Sequence, residues 1–312
     1  MFTIRRYTAN DHDVWNRYVS KARNATFLFY REYMDYHSDR FSDHSLMFYV
    51  GRHLHSVLPA HAEGDVFCSH RGLTYGGLLM DDDVTTADVL VLFEELNGYL
   101  RQQGFHKVLY RAIPWVYHRL PAEEDLYAMF WKCGARLQRR MSGTVIFMDE
   151  NLPWRKDHRR RLRQSQAAGI RVVRDGSLEE FWPLLNANLQ QKFNAKSVHT
   201  LEEMQLLKSR FPDNIIQYNA YLDGQIVGGI TFYVMGHVLH GQYSGTNDVG
   251  KKSGAMEAIY NQVMYHDYAD IRYLDFGTSN EQGGQVLNEG LIAHKEGYGG
   301  RTVCYDTYEW DL

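Results

Sequence analysis

A lysine in line with two leucines is the first feature of this sequence that could do chemistry. Leu287, Leu291 and Lys295 are spaced i, i+4, i+8 in the run Leu287-Asn-Glu-Gly-Leu-Ile-Ala-His-Lys-Glu-Gly-Tyr-Gly-Gly300, so on a helix they share one face. A lysine directed toward a core needs a carboxylate partner, a wet cleft or a catalytic task; otherwise it snorkels to water or caps carbonyls at the helix end. Just upstream, Tyr273-Leu-Asp-Phe-Gly-Thr-Ser279 reads as a buried strand with Asp275 inside it. Asp275 could orient Lys295 or an incoming amine.

A second group surrounds Tyr243-Ser-Gly-Thr-Asn-Asp-Val-Gly-Lys-Lys-Ser-Gly-Ala255. This reads as a strand end running into a helix, a place where unpaired N–H groups and a positive dipole end can hold a phosphate. Ser253 is the expected cap, Gly254 allows close approach, Lys252 adds charge, and Ala255 opens the helix. The same residues also fit a plain capped helix on a polar loop. The run lacks the G-x-x-x-x-G-K-[ST] spacing. His240 and Tyr243, on the preceding strand, are the candidate proton acceptors. The densest positive run, Arg155-Lys-Asp-His-Arg-Arg-Arg-Leu-Arg163, puts Arg160 and Arg163 on one helix face. They could hold an anionic substrate or an RNA backbone, or they could form a solvated face.

Fifteen histidines raise the question of metal. The closest pairs, His53/His55 and His237/His240, sit in no H-E-x-x-H and have no thiol cluster beside them, so no metal site is expected. There is no G-x-S-x-G elbow and no dinucleotide fingerprint, which leaves hydrolase and dehydrogenase readings without their signatures.

The elements that must position these groups fall into two halves. Val66–Pro114 reads strand, Tyr75-Gly76-Gly77 end, helix, strand. Val238–Ser279 reads strand, Tyr243-Ser244-Gly245 end, helix, strand. His106-Lys-Val-Leu-Tyr110 corresponds to Ile271-Arg-Tyr-Leu-Asp275. The pattern resets around Asn151-Leu-Pro-Trp154, so two similar domains, 1–150 and 151–312, are expected. Each would be an antiparallel meander feeding one right-handed β-α-β crossover, giving an α/β class with mixed sheets (α+β). Ligands of such sheets bind beyond the carboxyl ends of the parallel strands. In the first half that mouth is marked by Tyr75, Gly76 and Arg111; in the second, Ser279 lies beside it.

Composition narrows the partners. With 44% hydrophobic and 23% charged residues the chain is an ordinary globular one. The 14% aromatic content argues against disorder. A formal net charge of -4 gives no general attraction to DNA or anionic lipid. Three widely spaced cysteines, Cys68, Cys133 and Cys304, fit free thiols in a reducing cytoplasm. No run approaches the apolar length of a membrane span, so no integral membrane association is expected.

On these residues the chain resembles the FemAB/FemX family, aminoacyl-tRNA-dependent peptidyltransferases built from two tandem GNAT-like domains of the acyl-CoA N-acyltransferase fold. The Arg159–Gly169 run is similar to that family's basic segment at the start of its second domain. Tyr273–Ser279 is similar to the strand before its substrate loop. Leu291–Gly300 resembles its terminal FK…GG helix, with His294 where phenylalanine is usual. The resemblance implies an N-acyltransferase or aminoacyltransferase acting on an amine acceptor, such as a peptidoglycan-precursor-like peptide or a small molecule. Lys295 would then stabilise charge on the reacting carbonyl. It implies no tightly bound cofactor and a donor that is either aminoacyl-tRNA or acyl-CoA. The Q/R-x-x-G-x-G/A signature of acyl-CoA enzymes is met by neither crossover helix, and no long coiled-coil insertion occurs. Two alternatives stay open: a CoA-dependent N-acetyltransferase on a small amine, and a degenerate, non-catalytic binding module.

Overall fold

The computed structural model describes residues 1–312, with the side chains of Lys192 and Phe193 outside the description. It divides into two compact units. The first contains residues 1–142, 282–285 and 304–312, and the second contains residues 143–281 and 286–303.

In the first unit, β1 (Thr3–Arg6) leads into α1 (His12–Val19), whose Trp15, Tyr18 and Val19 are buried. The short α2 (Arg31–Met34) follows. Then come β2 (Ser42–Asp43), β3 (Leu46–Val50), β4 (His53–Leu58), β5 (His61–Glu63), β6 (Val66–Cys68) and β7 (Leu79–Met80). Strands β1, β3, β4 and β7 form one sheet. Helix α3 (Thr86–Gln102) is started by Thr85, which accepts from the Asp88 amide while Asp88 reaches back, a reciprocal cap. It crosses over to β8 (Lys107–Arg111), parallel to β6. Helix α4 (Glu124–Ala128) and strand β9 (Arg136–Phe147) complete the run.

The chain's last strand, Arg301–Asp311, returns to this unit and pairs antiparallel with β8, Thr307 opposite Arg111 and Trp310 opposite Val108. The expected division at residue 150 is therefore corrected. The first unit ends at 142 and recovers residues 304–312, because Trp310 is buried in its core and donates from Nε1 to Asn97 Oδ1 at 3.0 Å. Replacing Trp310 with alanine removes this ring and its hydrogen bond, and destabilises the first unit by about 3–5 kcal/mol. Urea unfolding reads the loss; an unchanged midpoint would mean that the last strand adds nothing to that core.

The second unit opens with α5 (Lys156–Ala168) and β10 (Arg171–Arg174), followed by α6 (Leu178–Phe193) and α7 (Leu201–Arg210). The antiparallel meander β11 (Ile215–Leu222), β12 (Gln225–Met235) and β13 (Val238–Thr246) comes next. The crossover is two helices, α8 (Asp248–Ser253) and α9 (Ala255–Gln262), where one helix from Gly254 onward is expected. They are hinged at Gly254, whose φ of +78° suits glycine and whose would-be Cβ meets the Arg161 carbonyl at 2.3 Å. Strand β14 (Tyr273–Thr278) then pairs parallel to β13 and antiparallel to the end of β9. A small ribbon of β15 (Asn280–Glu281) and β16 (Val286–Leu287) precedes α10 (Glu289–Glu296) and β17, the last strand. Leu287 is thus in a strand and not on the helix with Leu291 and Lys295, because Asn288 caps the helix by accepting from the Leu291 amide. Both units are α/β with one parallel β-α-β crossover, as expected. Among the described residues no helix is long and apolar enough to cross a membrane.

Candidate active site

The site arises where β13 and β14 part. They pair at only three positions, ending with His240 opposite Asp275, although β13 continues to Thr246 and β14 to Thr278. A bulge between Thr231 and Phe232 in the β12–β13 pairing adds a kink to β13 at the same level. A cavity of about 370 Å³ lies within the second unit beyond the parting. Gly245 and Thr246 of β13, Asn188 of α6, and Asn288 and Leu291 at the start of α10 line it, together with Lys251 and Arg161. This is the position that open parallel sheets reserve for ligands.

Lys295 lies one helical turn beyond Leu291 and is 8% exposed. Its ammonium donates to the Gly277 carbonyl at 3.0 Å and the Thr278 carbonyl at 2.8 Å. These carbonyls belong to the stretch of β14 beyond its last pair with β13. Burial pulls the Lys295 pKa down to about 8, with the charge of Asp275 working against the fall. Asp275 is fully buried. One of its oxygens accepts the Gly277 amide at 2.7 Å, and the other takes His240 Nδ1 at 3.1 Å. Lys295, Asp275 and His240 are therefore brought together, with Gly277 (φ +69°) as the turn that joins them.

Tyr243 has a different neighbourhood. Its ring packs against Trp182 and its hydroxyl hydrogen-bonds His199. Burial pushes it up to about 12, so it is a proton donor or a neutral dipole at neutral pH, not a ready base.

The expected phosphate-binding start is corrected. The crossover helix begins at Asp248 and is capped by Asn247, whose Oδ1 accepts the Gly250 amide at 2.8 Å. Ser253 closes α8, its hydroxyl donating back to the Val249 carbonyl at 2.8 Å. Gly254 is the hinge against α5, and Ala255 is buried beneath it. Lys252 is exposed, and the neighbouring Lys251 lines the cavity instead.

On α5, Arg160 and Arg163 face solvent, and Arg161 lines the cavity. The inward face of α5 holds buried His158 and Ser165. His158 donates to Glu257 Oε1 at 2.9 Å, and Arg161 approaches the same oxygen at 3.6 Å. Burial alone would raise Glu257; the hydrogen bond from His158 and the Arg161 charge hold its carboxyl below the ordinary value. Glu257 and His294 both line the cavity, and burial, then His158, pulls His294 down to about 4. Neutral His294 fills the place that the expected motif gives to phenylalanine. Sequence reasoning missed Arg161, His158 and Glu257. The spacing Trp154, His158, Arg161, Ser165 carried the signal, but the surrounding arginines hid it.

Ser279 is buried, with its hydroxyl lacking a hydrogen bond among the described residues and its carbonyl accepting the Asn288 amide at 2.8 Å. In the first unit Tyr75 is a core residue, 1% exposed and packed on Phe29 and Tyr117, so its ring lines no mouth. Gly76 lies too close to the Ser69 carbonyl to carry a Cβ, which would meet that oxygen at 2.3 Å. Arg111 lines a separate cavity of that unit.

Residues 154–283, which carry most of this geometry, match the family model of the acetyltransferase (GNAT) domain. No curated protein matches the chain in sequence. Among solved structures the chain is similar to FemX (TM-score 0.69, 10% identity, 99% of this chain and 97% of FemX covered). It is also similar to L-PGS from Bacillus licheniformis (TM-score 0.62, 11% identity, 98% and 92% covered). A tandem GNAT protein from the clavulanic acid biosynthesis pathway aligns over 100% of this chain and 98% of its own (TM-score 0.58, 11% identity). The likeness spans both units, so the expected tandem GNAT fold is borne out.

Proposed function

We propose that the second unit transfers an aminoacyl or acyl group from an ester donor to an amine, with the donor carbonyl placed in the cavity between β13, α9 and α10. The observation that carries the choice of donor is the start of α8. A CoA pyrophosphate needs free N–H groups there, and Asn247 already occupies the Gly250 amide while Asp248 puts a carboxylate in the first turn. The outer face of α5 instead offers exposed Arg159, Arg160 and Arg163 to a polyanionic carrier such as tRNA, with Arg161 turned inward at the cavity.

In this reading the amine attacks the ester carbonyl, forming the new C–N bond; the acyl C–O bond breaks with its electron pair on the carrier oxygen, which leaves as a hydroxyl after taking up the proton given up by the amine. Lys295 spends two of its three N–H donors on Gly277 and Thr278. The third serves the developing oxyanion. Asp275 holds Lys295 charged and orients His240, which receives the amine proton. Glu257, kept ionised at the cavity wall, suits an ammonium group of an aminoacyl donor.

The test is calorimetric titration of the full chain. Charged tRNA is expected to bind saturably in a salt-dependent way, and CoA to show no binding at millimolar concentration. Saturable CoA binding without a tRNA response would overturn the ester-donor reading in favour of a CoA-dependent N-acetyltransferase.

A further inference from the structure

The first unit carries a second cavity that the transfer reaction above does not use. It measures about 340 Å³ and lies beyond the carboxyl ends of β6 and β8, where Cys68 pairs with Leu109 as the last parallel position. Three arginines line it: Arg71, Arg111 and Arg139, with Ser69, Cys68 and Thr307 between them.

The charges in this cavity do not balance. Arg71 has one carboxylate, the exposed Glu63. Arg111 spends its donors on backbone carbonyls only: Arg71 at 3.1 Å, Leu73 at 2.9 Å and Thr74 at 2.9 Å. Arg139 reaches the Gly283 carbonyl at 3.3 Å and the Thr307 hydroxyl at 3.5 Å, both long, and its buried Nε has no partner. Neither Arg111 nor Arg139 has a carboxylate partner among the described residues. Burial and the charges of Arg139 and Arg71 pull Arg111 down to about 10, the response of a cation held among cations. The Cys68 thiol is pushed up to about 11 by burial and supplies no compensating charge. The same chemistry opposes a cation site at His61, Glu63 and Cys68, whose ligand atoms lie within 4.8 Å of one another. There the thiol is neutral and the carboxylate is already paired with Arg71.

Three guanidiniums around one cavity, two of them with no carboxylate among the described residues, leave a positive charge that a tetrahedral anion such as phosphate complements. We infer that the first-unit cavity formed by Arg71, Arg111 and Arg139 binds a phosphate oxyanion. The site stands apart from the acyl-transfer reading, because it uses none of that reaction's residues and its readout is stability.

The experiment is thermal unfolding of the full chain in inorganic phosphate, in a simple phosphate monoester, and in chloride or acetate at matched ionic strength. Saturable binding of phosphate raises the midpoint by about 2–5 °C, and chloride and acetate do not. A larger shift from the monoester identifies a phosphate carried on a substrate; equal shifts identify the free ion, and either outcome upholds the site. Arg139→Met abolishes the phosphate shift, and Arg139→Lys restores part of it. Arg139→Met also tests the site without disturbing the Arg111 contacts that pin residues 71–74. An equal rise in chloride, an equal rise in acetate, or an undiminished phosphate shift in Arg139→Met overturns the inference.

Discussion

Replacing Lys295 with methionine lowers turnover at least tenfold and leaves the fold intact. Methionine matches the length and the apolar stem of lysine and keeps contact with the helix face shared by Leu291. What it lacks is the ammonium on the Gly277 and Thr278 carbonyls and the third donor for an oxyanion. Removing a preorganised donor of that kind costs on the order of 10²-fold in rate. Unchanged single-turnover transfer would take Lys295 out of the reaction.

The same residue fixes a stability signature. Its folded pKa of about 8 lies below the ordinary 10.5. Between those values the unfolded chain holds a proton that the native protein has released, so native stability rises with pH across that window. Below about pH 8 both states are protonated and the burial cost is carried in full, about 3 kcal/mol. The methionine variant carries no such cost and shows no such rise. Comparing urea midpoints of the two proteins at pH 7 and pH 10 isolates this contribution.

Much of this arrangement was legible in the sequence for a simple reason. Strand and helix periodicity, and the repeat of strand, Tyr-Gly-rich end, helix and strand, report local and neighbouring geometry, so both β-α-β crossovers emerge. The strand Tyr273–Phe276 and the lysine four residues after Leu291 were readable in the same way. What failed was non-local. No pattern within Thr302–Trp310 says that this strand closes the first unit, because that depends on Trp310 finding Asn97 across the chain. The α8 start is hard to read because Ser253-Gly254 looks like a cap, whereas the capping oxygen belongs to Asn247, which accepts the Gly250 amide. Arg161 was lost among identical neighbours. Only the burial of His158 and Ser165 tells which arginine turns inward. Tyr75 is ambiguous in sequence because glycines beside an aromatic suit both a ligand mouth and the crowded core it occupies.

Asp275→Asn separates the roles of the two charged groups, and it is expected to shift the pH profile as well as the rate. Asp275 is the charge that keeps Lys295 from falling further, so neutralising it lowers the lysine pKa below about 8. A reaction that needs the ammonium loses rate as pH rises through that pKa. The alkaline limb of kcat/KM therefore moves to lower pH by about one unit. Asparagine preserves the acceptor for the Gly277 amide through its carbonyl oxygen, so the β14 turn survives. It has one acceptor oxygen where aspartate had two, and its amide donates to His240 Nδ1 instead of accepting from it, so the imidazole is held in the tautomer whose other nitrogen already carries a proton and cannot take one. The rate at pH 7 drops for that reason as well, by roughly 10–100-fold. The two effects come apart in the Lys295→Met background, where the limb assigned to lysine is absent and only the histidine effect remains. A limb that stays in place in Asp275→Asn while Lys295→Met shows its expected loss of turnover would mean that the ammonium is held charged by the Gly277 and Thr278 carbonyls alone, and that Asp275 serves His240 and not the lysine.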